Sequence, residues 1–213
     1  MINIEKNIKM KKKVLIFDID GVLLDSKKNM QLSWKAVQKK FQLNNIKFLD
    51  YFSRIGQPFE QILIQLDIKK NFKEIKECYD RNSIINKKKV IFYKNIKKEI
   101  KFLHSLNYVL CIVTSKDKKR TDLLISDLKK YFKIIQCPQK NLRGKPHPDQ
   151  IINVIKQLKE KKKECVYIGD TNIDFLSAKR AKIDFIFAEW GYGINNNYKY
   201  SLKNIQELKT LLI

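Results

Sequence analysis

Five short apolar runs along the chain have the length and composition of buried strands. The first is 14–17, and the others lie at 109–113, 132–135, 165–168 and 185–188. Runs of this kind, without alternating polar residues, are typical of strands covered on both faces, as in a parallel sheet. They predict a sheet buried within the molecule.

Apolar residues between the later runs recur every three or four positions, which is the period of an amphipathic helix. This spacing predicts helices at 96–106, 117–130, 151–158, 172–181 and 202–211. Strands that alternate with helices form βαβ units and a parallel sheet. The predicted fold class is therefore α/β, a Rossmann-like parallel sheet core flanked by helices.

The stretch after the first strand breaks this alternation. Apolar residues recur at helical spacing in segments that begin near Met30, Pro58 and Phe72, and no strand pattern appears between them. We therefore expect an all-helical block inserted into the α/β core. The predicted division is a core of residues 1–24 and 90–213 and an inserted helical cap of residues 25–89.

Charge is the most unusual feature of the composition. The formal net charge is +23, from 45 Lys and Arg against 22 Asp and Glu. A nucleic-acid partner is possible on this ground. It is not favoured, because short lysine runs recur along the whole chain, whereas a binding arm concentrates its charge in one tail or helix face.

Cysteine usage and hydropathy bear on the compartment. The spacing of Cys78, Cys111, Cys137 and Cys165 matches no zinc or redox motif, which suits a reducing cytoplasm. Residues 1–13 lack the apolar stretch of a signal peptide. No apolar run approaches the roughly 18 residues that a membrane span needs. We expect a cytoplasmic monomer or homodimer.

Polar residues of useful chemistry follow the predicted strands. The carboxyl ends of parallel strands share one edge of a sheet, where ligands bind. Two carboxylates directly after the first strand are costly to keep together unless a cation or a shared proton joins them. The residues expected at this edge are Asp18 and Asp20, Thr114 and Ser115, Lys145 within Gly144-Lys145-Pro146, and Asp170 with Asp174.

These residues give the chain a resemblance to a known family. The motif Asp18-Ile19-Asp20-Gly21-Val22, Thr114 after a strand, Lys145 before a proline, and Gly169-Asp170 with Asp174 stand in the order typical of the haloacid dehalogenase superfamily. The helical insert after the first strand resembles the branch that includes phosphoglycolate phosphatase and β-phosphoglucomutase. The similarity covers about Val14 to Tyr192.

The resemblance implies a role for each matching position. Asp18 would be the nucleophile that forms an aspartyl-phosphate, and Asp20 would be the general acid and base. Thr114, Ser115 and Lys145 would bind the phosphoryl group. Mg²⁺ would be held by Asp18, Asp170 and the backbone carbonyl of Asp20, with Asp174 as a ligand or an outer partner.

The implied activity is a magnesium-dependent phosphatase acting on a small phosphorylated metabolite, of the phosphoglycolate or sugar phosphate type. Asp20 favours phosphoryl transfer over halide release, because a leaving alkoxide needs a proton and a halide does not. Arg54, in the segment Arg54-Ile55-Gly56-Gln57-Pro58, is a candidate for binding a second anionic group of the substrate. The alternatives are a phosphomutase of the β-phosphoglucomutase type and a nucleic-acid-associated phosphatase.

Overall fold

The computed structural model describes residues 10–212, so residues 1–9 of the predicted core segment and Ile213 lie outside the described residues. The strands are β1 (Val14–Phe17), β2 (Leu24–Asp25), β3 (Ile91–Phe92), β4 (Val109–Val113), β5 (Ile134–Gln136), β6 (Cys165–Gly169), β7 (Asp184–Ala188) and β8 (Ser201–Leu202). The helices are α1 (Lys27–Phe41), α2 (Phe48–Phe52), α3 (Phe59–Gln65), α4 (Phe72–Ile85), α5 (Ile96–Ser105), α6 (Lys118–Leu124), α7 (Asp149–Leu158), α8 (Asn172–Ala181) and α9 (Leu208–Leu212).

Six strands form one sheet in the order β5-β4-β1-β6-β7-β8, and every neighbouring pair is parallel. The central strand β1 is buried along its whole length. Alternate residues point to opposite faces of a strand. Accordingly, Leu15 and Phe17 pack into one apolar core, and Val14 and Ile16 into a second. The predicted parallel sheet flanked by helices is confirmed.

The strand order determines where polar residues meet. β1 pairs with β4 on one side and with β6 on the other, so Phe17 lies opposite Ile112 and Ile168. The residues that follow these three strands therefore emerge side by side at one edge of the sheet. The geometry brings together residues about 150 positions apart in the chain.

The helices α1 to α4 have an apolar core of their own. Trp34 of α1 stacks on Tyr51 of α2 with ring centroids 4.6 Å apart, and both side chains are buried. Ile62, Leu63 and Ile75 from the two later helices belong to the same cluster. Where this block begins and ends as a domain stays a prediction. The short antiparallel pair β2 and β3 lies at its two connections with the sheet.

Two predicted helices differ from the structure. The helix expected at 117–130 ends at Leu124 and is followed by a separate 3-10 turn at Lys129–Tyr131. Ser126 and Asp127 lie between them, and their side chains favour turns over helix interiors. The helix expected at 202–211 is shortened to α9, because its start forms the edge strand β8 and a 3-10 turn.

The strands β2, β3 and β8 were not predicted, since two residues are too few to produce a pattern. Among residues 10–212, no helix combines the length and the apolar character needed to cross a bilayer.

Candidate active site

Four buried charged side chains converge at the carboxyl edge of the sheet. The Nζ atom of Lys145 lies 2.9 Å from Oδ1 of Asp18 and 2.7 Å from Oδ1 of Asp174. One carboxylate oxygen from each of Asp18, Asp170 and Asp174 lies within 4.8 Å of the others. We call these four residues the edge cluster. Asp18 is 4% exposed and the other three are at most 1% exposed.

The sheet positions two of these acids directly. The backbone N–H of Asp18 donates to the carbonyl of Ile168 at 2.9 Å, which continues the β1–β6 ladder one residue past the strand. Asp170 follows β6 immediately. Because the two strands are neighbours in the sheet, the residues after them are held close together.

Asp174 has two roles because its two oxygens have different partners. Its Oδ2 accepts hydrogen bonds from the backbone N–H of Thr171 at 3.1 Å and from the Thr171 hydroxyl at 2.6 Å. The Asp174 backbone N–H donates in return to Oγ1 of Thr171 at 3.3 Å, which completes a capping box at the start of α8. Oδ1 of Asp174 contacts Lys145. The hydroxyl of Tyr167 also lies 3.0 Å from Nζ of Lys145 and donates to the carbonyl of Val113.

Gly21 makes room for the cluster. Its φ is +88°, a conformation that L side chains rarely adopt, and a Cβ there would lie 2.0 Å from Oδ2 of Asp170. The same Oδ2 accepts a hydrogen bond from the backbone N–H of Tyr192 at 2.7 Å. The glycine after the paired aspartates therefore lets the backbone of the first motif approach the acid that follows β6.

Burial and crowding of charge shift the titration of the cluster. Burial raises the pKa of Asp18 to about 7, although Lys145 opposes that shift. Burial and the charges of Asp174 and Asp18 raise the pKa of Asp170 well above its ordinary value. Burial alone would lower the pKa of Lys145, but Asp174 and Asp18 outweigh it and raise the pKa. Two of the three acids thus pair with the one ammonium group, and Asp170 lies beside those two carboxylates.

The cluster has the donor set of a divalent-cation site. Asp170 Oδ1 is buried and has no hydrogen-bond partner among the described residues. It belongs to a group of three carboxylates, and carboxylate oxygens are the ligands that Mg²⁺ prefers. The excess of buried negative charge would be relieved by such an ion. The residues present therefore fit a magnesium ion.

Asp20 lies apart from the other carboxylates. Its Oδ1 accepts a hydrogen bond from the Ser26 hydroxyl at 2.6 Å, and its Oδ2 lies 3.0 Å from Nζ of Lys116. Its side chain is not part of the three-carboxylate group. Both Asp20 and Lys116 line the cavity above the edge cluster. Lys116 was not among the residues predicted from the sequence, although it stands two residues after Thr114.

The two hydroxyl residues after β4 have different surroundings. Thr114 is buried and lines the cavity, and its Oγ1 accepts a hydrogen bond from the backbone N–H of Lys116 at 3.2 Å. Ser115 donates its hydroxyl proton to the carbonyl of Gly56 at 2.6 Å. Ser115 also lines the cavity, but its hydroxyl proton is taken by the bond to the helical block, which leaves Thr114 as the hydroxyl that can donate to a ligand.

The cavity between sheet and helices has a volume of about 70 Å³. The helical block contributes apolar and aromatic side chains to it, and the sheet edge contributes charged ones. Arg54 is not among the described residues that line the cavity, and its guanidinium donates to the Asp50 carbonyl at 2.6 Å and to the Ser53 hydroxyl at 3.1 Å. The arginine that lines the cavity is Arg120.

Comparison with known proteins agrees with this architecture. The model of the haloacid dehalogenase-like hydrolase family matches residues 15–188. A phosphoglycolate phosphatase from Aquifex aeolicus is 28% identical over 189 residues, which cover 84% of this chain and 86% of that protein. Pyrophosphatase PpaX from Bacillus mycoides is 24% identical over 211 residues, covering 95% of this chain and 98% of the relative.

Solved structures share the fold. A hydrolase from Pseudomonas syringae superimposes with a TM-score of 0.84 at 21% identity, covering 95% of this chain and 100% of that one. A haloacid dehalogenase-like hydrolase from Streptococcus pneumoniae gives a TM-score of 0.82 at 20% identity, with coverage of 93% and 97%. The arrangement of sheet and helical block is therefore shared with other hydrolases.

Proposed function

This chain belongs to the haloacid dehalogenase-like hydrolases, and from that premise we propose that it is a magnesium-dependent phosphatase of a small phosphorylated metabolite. The observation that carries the proposal is the edge cluster, in which three carboxylates and one ammonium group share a buried site beside a small cavity. A divalent ion would balance the excess of two negative charges in this site, and the ion and Lys145 together would present positive charge to a phosphoryl group.

The proposed reaction has two displacements at phosphorus. A carboxylate oxygen of Asp18 attacks, the bond between phosphorus and the ester oxygen breaks, and Asp20 gives its proton to the leaving oxygen. Water then attacks the aspartyl-phosphate, Asp20 takes a proton from that water, and inorganic phosphate leaves with the Asp18 carboxylate restored. Charge neutralisation and positioning account for most of the rate in phosphoryl transfer.

Two further residues support these steps. Lys145 holds Asp18 by an ion pair and would also neutralise the phosphoryl oxygens, and the Thr114 hydroxyl would donate to one of them. Asp18, Asp170 and Asp174, with the backbone carbonyl of Asp20, would hold Mg²⁺, which when bound supplies positive charge to the phosphoryl group.

The cavity and the names of the relatives together support a compact substrate. Side chains of the helical block and of the sheet edge line a cavity of about 70 Å³ between them, so a substrate is in contact with both. The relatives described above are named phosphoglycolate phosphatase and pyrophosphatase, and both names specify compact substrates. We therefore propose a substrate of that size, with a small sugar phosphate as the larger option.

The test is phosphate release from a panel of phosphorylated metabolites and p-nitrophenyl phosphate, with Mg²⁺ or with a chelator. We expect Asp18→Asn to lower kcat by at least about 1,000-fold, because the nucleophile is lost. Asp67→Asn is the matched control, since Asp67 is an exposed aspartate. Wild-type turnover in Asp18→Asn would refute the assignment. An isomer accumulating in place of inorganic phosphate would identify a phosphomutase.

A further inference from the structure

The cavity has a second charged region that the proposed reaction does not use. Lys116 and Arg120 both line it, and they are only 7% and 8% exposed. Lys116 lies in the loop after β4, and Arg120 lies in α6. We call this pair the cationic wall. Buried cations facing a cavity are costly unless an anion accompanies them.

Lys116 has capacity for a ligand. An ammonium group has three N–H donors. Within the described part of the chain, Asp20 is the one carboxylate at ion-pair distance from its Nζ atom, at 3.0 Å. Because Asp20 borders the proposed phosphoryl site, a group bound by Lys116 would lie next to the reacting phosphorus.

Arg120 is held in place from its outer side. Its Nε donates to Asp117, and its Nη2 lies 3.0 Å from Oδ1 of Asp80 on α4. Both acids are more exposed than the arginine side chain. A guanidinium has five N–H donors, so these two contacts leave others for the cavity. Burial alone would lower the pKa of Arg120, but Asp80, Tyr79 and Asp117 outweigh it and raise the pKa.

Two phenols of the helical block complete this part of the cavity. The hydroxyl of Tyr51 donates to that of Tyr79 at 2.9 Å, and both residues are buried and line the cavity. Burial raises the pKa of Tyr79 to about 12 and that of Tyr51 well above its ordinary value. Both phenols are therefore neutral at pH 7, and they add no negative charge beside the cationic wall.

We propose that Lys116 and Arg120 form a subsite for a second anionic group of the substrate, either a carboxylate or a further phosphoryl group. This inference rests on the proposed phosphatase function and specifies its substrate as a compact molecule with two anionic ends. Charge-assisted hydrogen bonds in a site shielded from water are strong enough to discriminate such a substrate from one with a neutral end.

Two pairs of probes test the subsite. Phosphoglycolate and its amide, 2-phosphonooxyacetamide, share one skeleton and one phosphate group, but the amide lacks the charge of the carboxylate. Pyrophosphate and phenyl phosphate form the second pair and test a phosphoryl group in place of a carboxylate. In at least one pair, we expect the wild-type kcat/KM to be about 10- to 100-fold higher for the probe with the second anion.

Variants assign that preference to residues. Lys116→Gln and Arg120→Gln should each lower kcat/KM for the preferred anionic probe by about 10-fold or more, mainly through KM, and change its neutral partner by less than about 3-fold. Lys118→Gln is the matched control, because Lys118 is exposed on the same segment. The ratio within a probe pair is the readout, since a general loss of folding or of Asp20 function lowers both values equally.

Equal losses on both probes of the preferred pair would overturn the subsite and leave these residues with a structural role. A wild-type enzyme that hydrolyses p-nitrophenyl phosphate but prefers neither anionic probe would overturn it as well, without any variant, and would leave the phosphatase proposal standing. Failure to hydrolyse any phosphomonoester would instead refute the proposed function itself.

Discussion

The edge cluster, through Asp18 and Lys145, borders the same cavity as the cationic wall, but the two are built in different ways. Three acids and one ammonium group form the edge cluster, and it is buried almost completely. Each cation of the wall has its own acidic partners, Asp20 for Lys116 and the pair Asp117 and Asp80 for Arg120. The edge cluster has three carboxylates for one ammonium group and can take up a further cation, whereas we propose that the wall binds an anion through the N–H donors that its acidic partners leave free. Both regions would be occupied by a substrate whose phosphoryl group is bound with Mg²⁺ at the edge cluster and whose second anionic group reaches the cationic wall.

Among the changes that compare the two regions, the largest effect should come from removing Lys145, the one ammonium group of the edge cluster. Lys145→Met leaves Asp18 and Asp174 without their ion pairs, so we expect kcat to fall by about 100- to 1,000-fold. The free energy of unfolding should also fall by about 3 kcal/mol, because breaking a buried pair leaves uncompensated charge. Phosphate release and urea denaturation measure the two effects.

Lys140→Met is the control, because Lys140 is exposed and should tolerate the same substitution. Lys145→Met with unchanged turnover would mean that the edge cluster does not bind the reacting group.

The contrast between the two regions also explains what the sequence could predict. Asp18 and Asp170 directly follow strands that pair in the sheet, so the parallel topology alone places them together. The apolar runs that predict the strands therefore also predict much of the edge cluster. The same reasoning anticipates Thr114 after β4.

The cationic wall could not be predicted in this way. Lys116 is one of 45 Lys and Arg residues, so its identity carries little information. Arg120 faces the cavity because Asp80 of α4 and Asp117 hold it, a contact between residues 40 positions apart that depends on how the helical block packs. The periodicity of apolar residues predicts that α4 exists, but it does not predict that α4 contacts Arg120 of α6.

A smaller effect is expected on the stability of the protein, from the binding of Mg²⁺ to the edge cluster and from the dependence of that binding on pH. Without a metal, the folded state holds the Asp18 proton more tightly than the unfolded chain, since burial raises its pKa to about 7. That contribution to stability is complete below a pH of about 4 and is lost as the pH rises towards 7. The raised pKa of Asp170 acts in the same direction.

Metal binding requires deprotonated carboxylates, so Mg²⁺ would offset the stability that the metal-free protein loses as the pH rises. We therefore expect Mg²⁺ at 100 times its Kd to stabilise the protein by about 2.7 kcal/mol at pH 8, a rise in Tm of about 5 to 10 °C. At pH 5.5, the same Mg²⁺ concentration should give less than half that rise. Scanning fluorimetry measures both, and Asp170→Asn should abolish the shift while Asp67→Asn retains it. An equal shift at the two pH values would contradict the assignment of the site.

The smallest effect is expected at Arg54, and it compares two arginines directly. Sequence similarity suggested Arg54 as the residue that binds a second anion, but its guanidinium has partners at Asp50 and Ser53 and does not line the cavity. Arg54→Gln should therefore change kcat/KM for the preferred anionic probe by less than about 2-fold, whereas Arg120→Gln lowers it by about 10-fold or more. If the two results are reversed, the cap segment at 54–58 recognises the second anion after a rearrangement of the helical block, and Arg120 only joins α4 to α6. Both substitutions replace an arginine by a glutamine, so a difference between their effects reports where each arginine lies and not which group was removed.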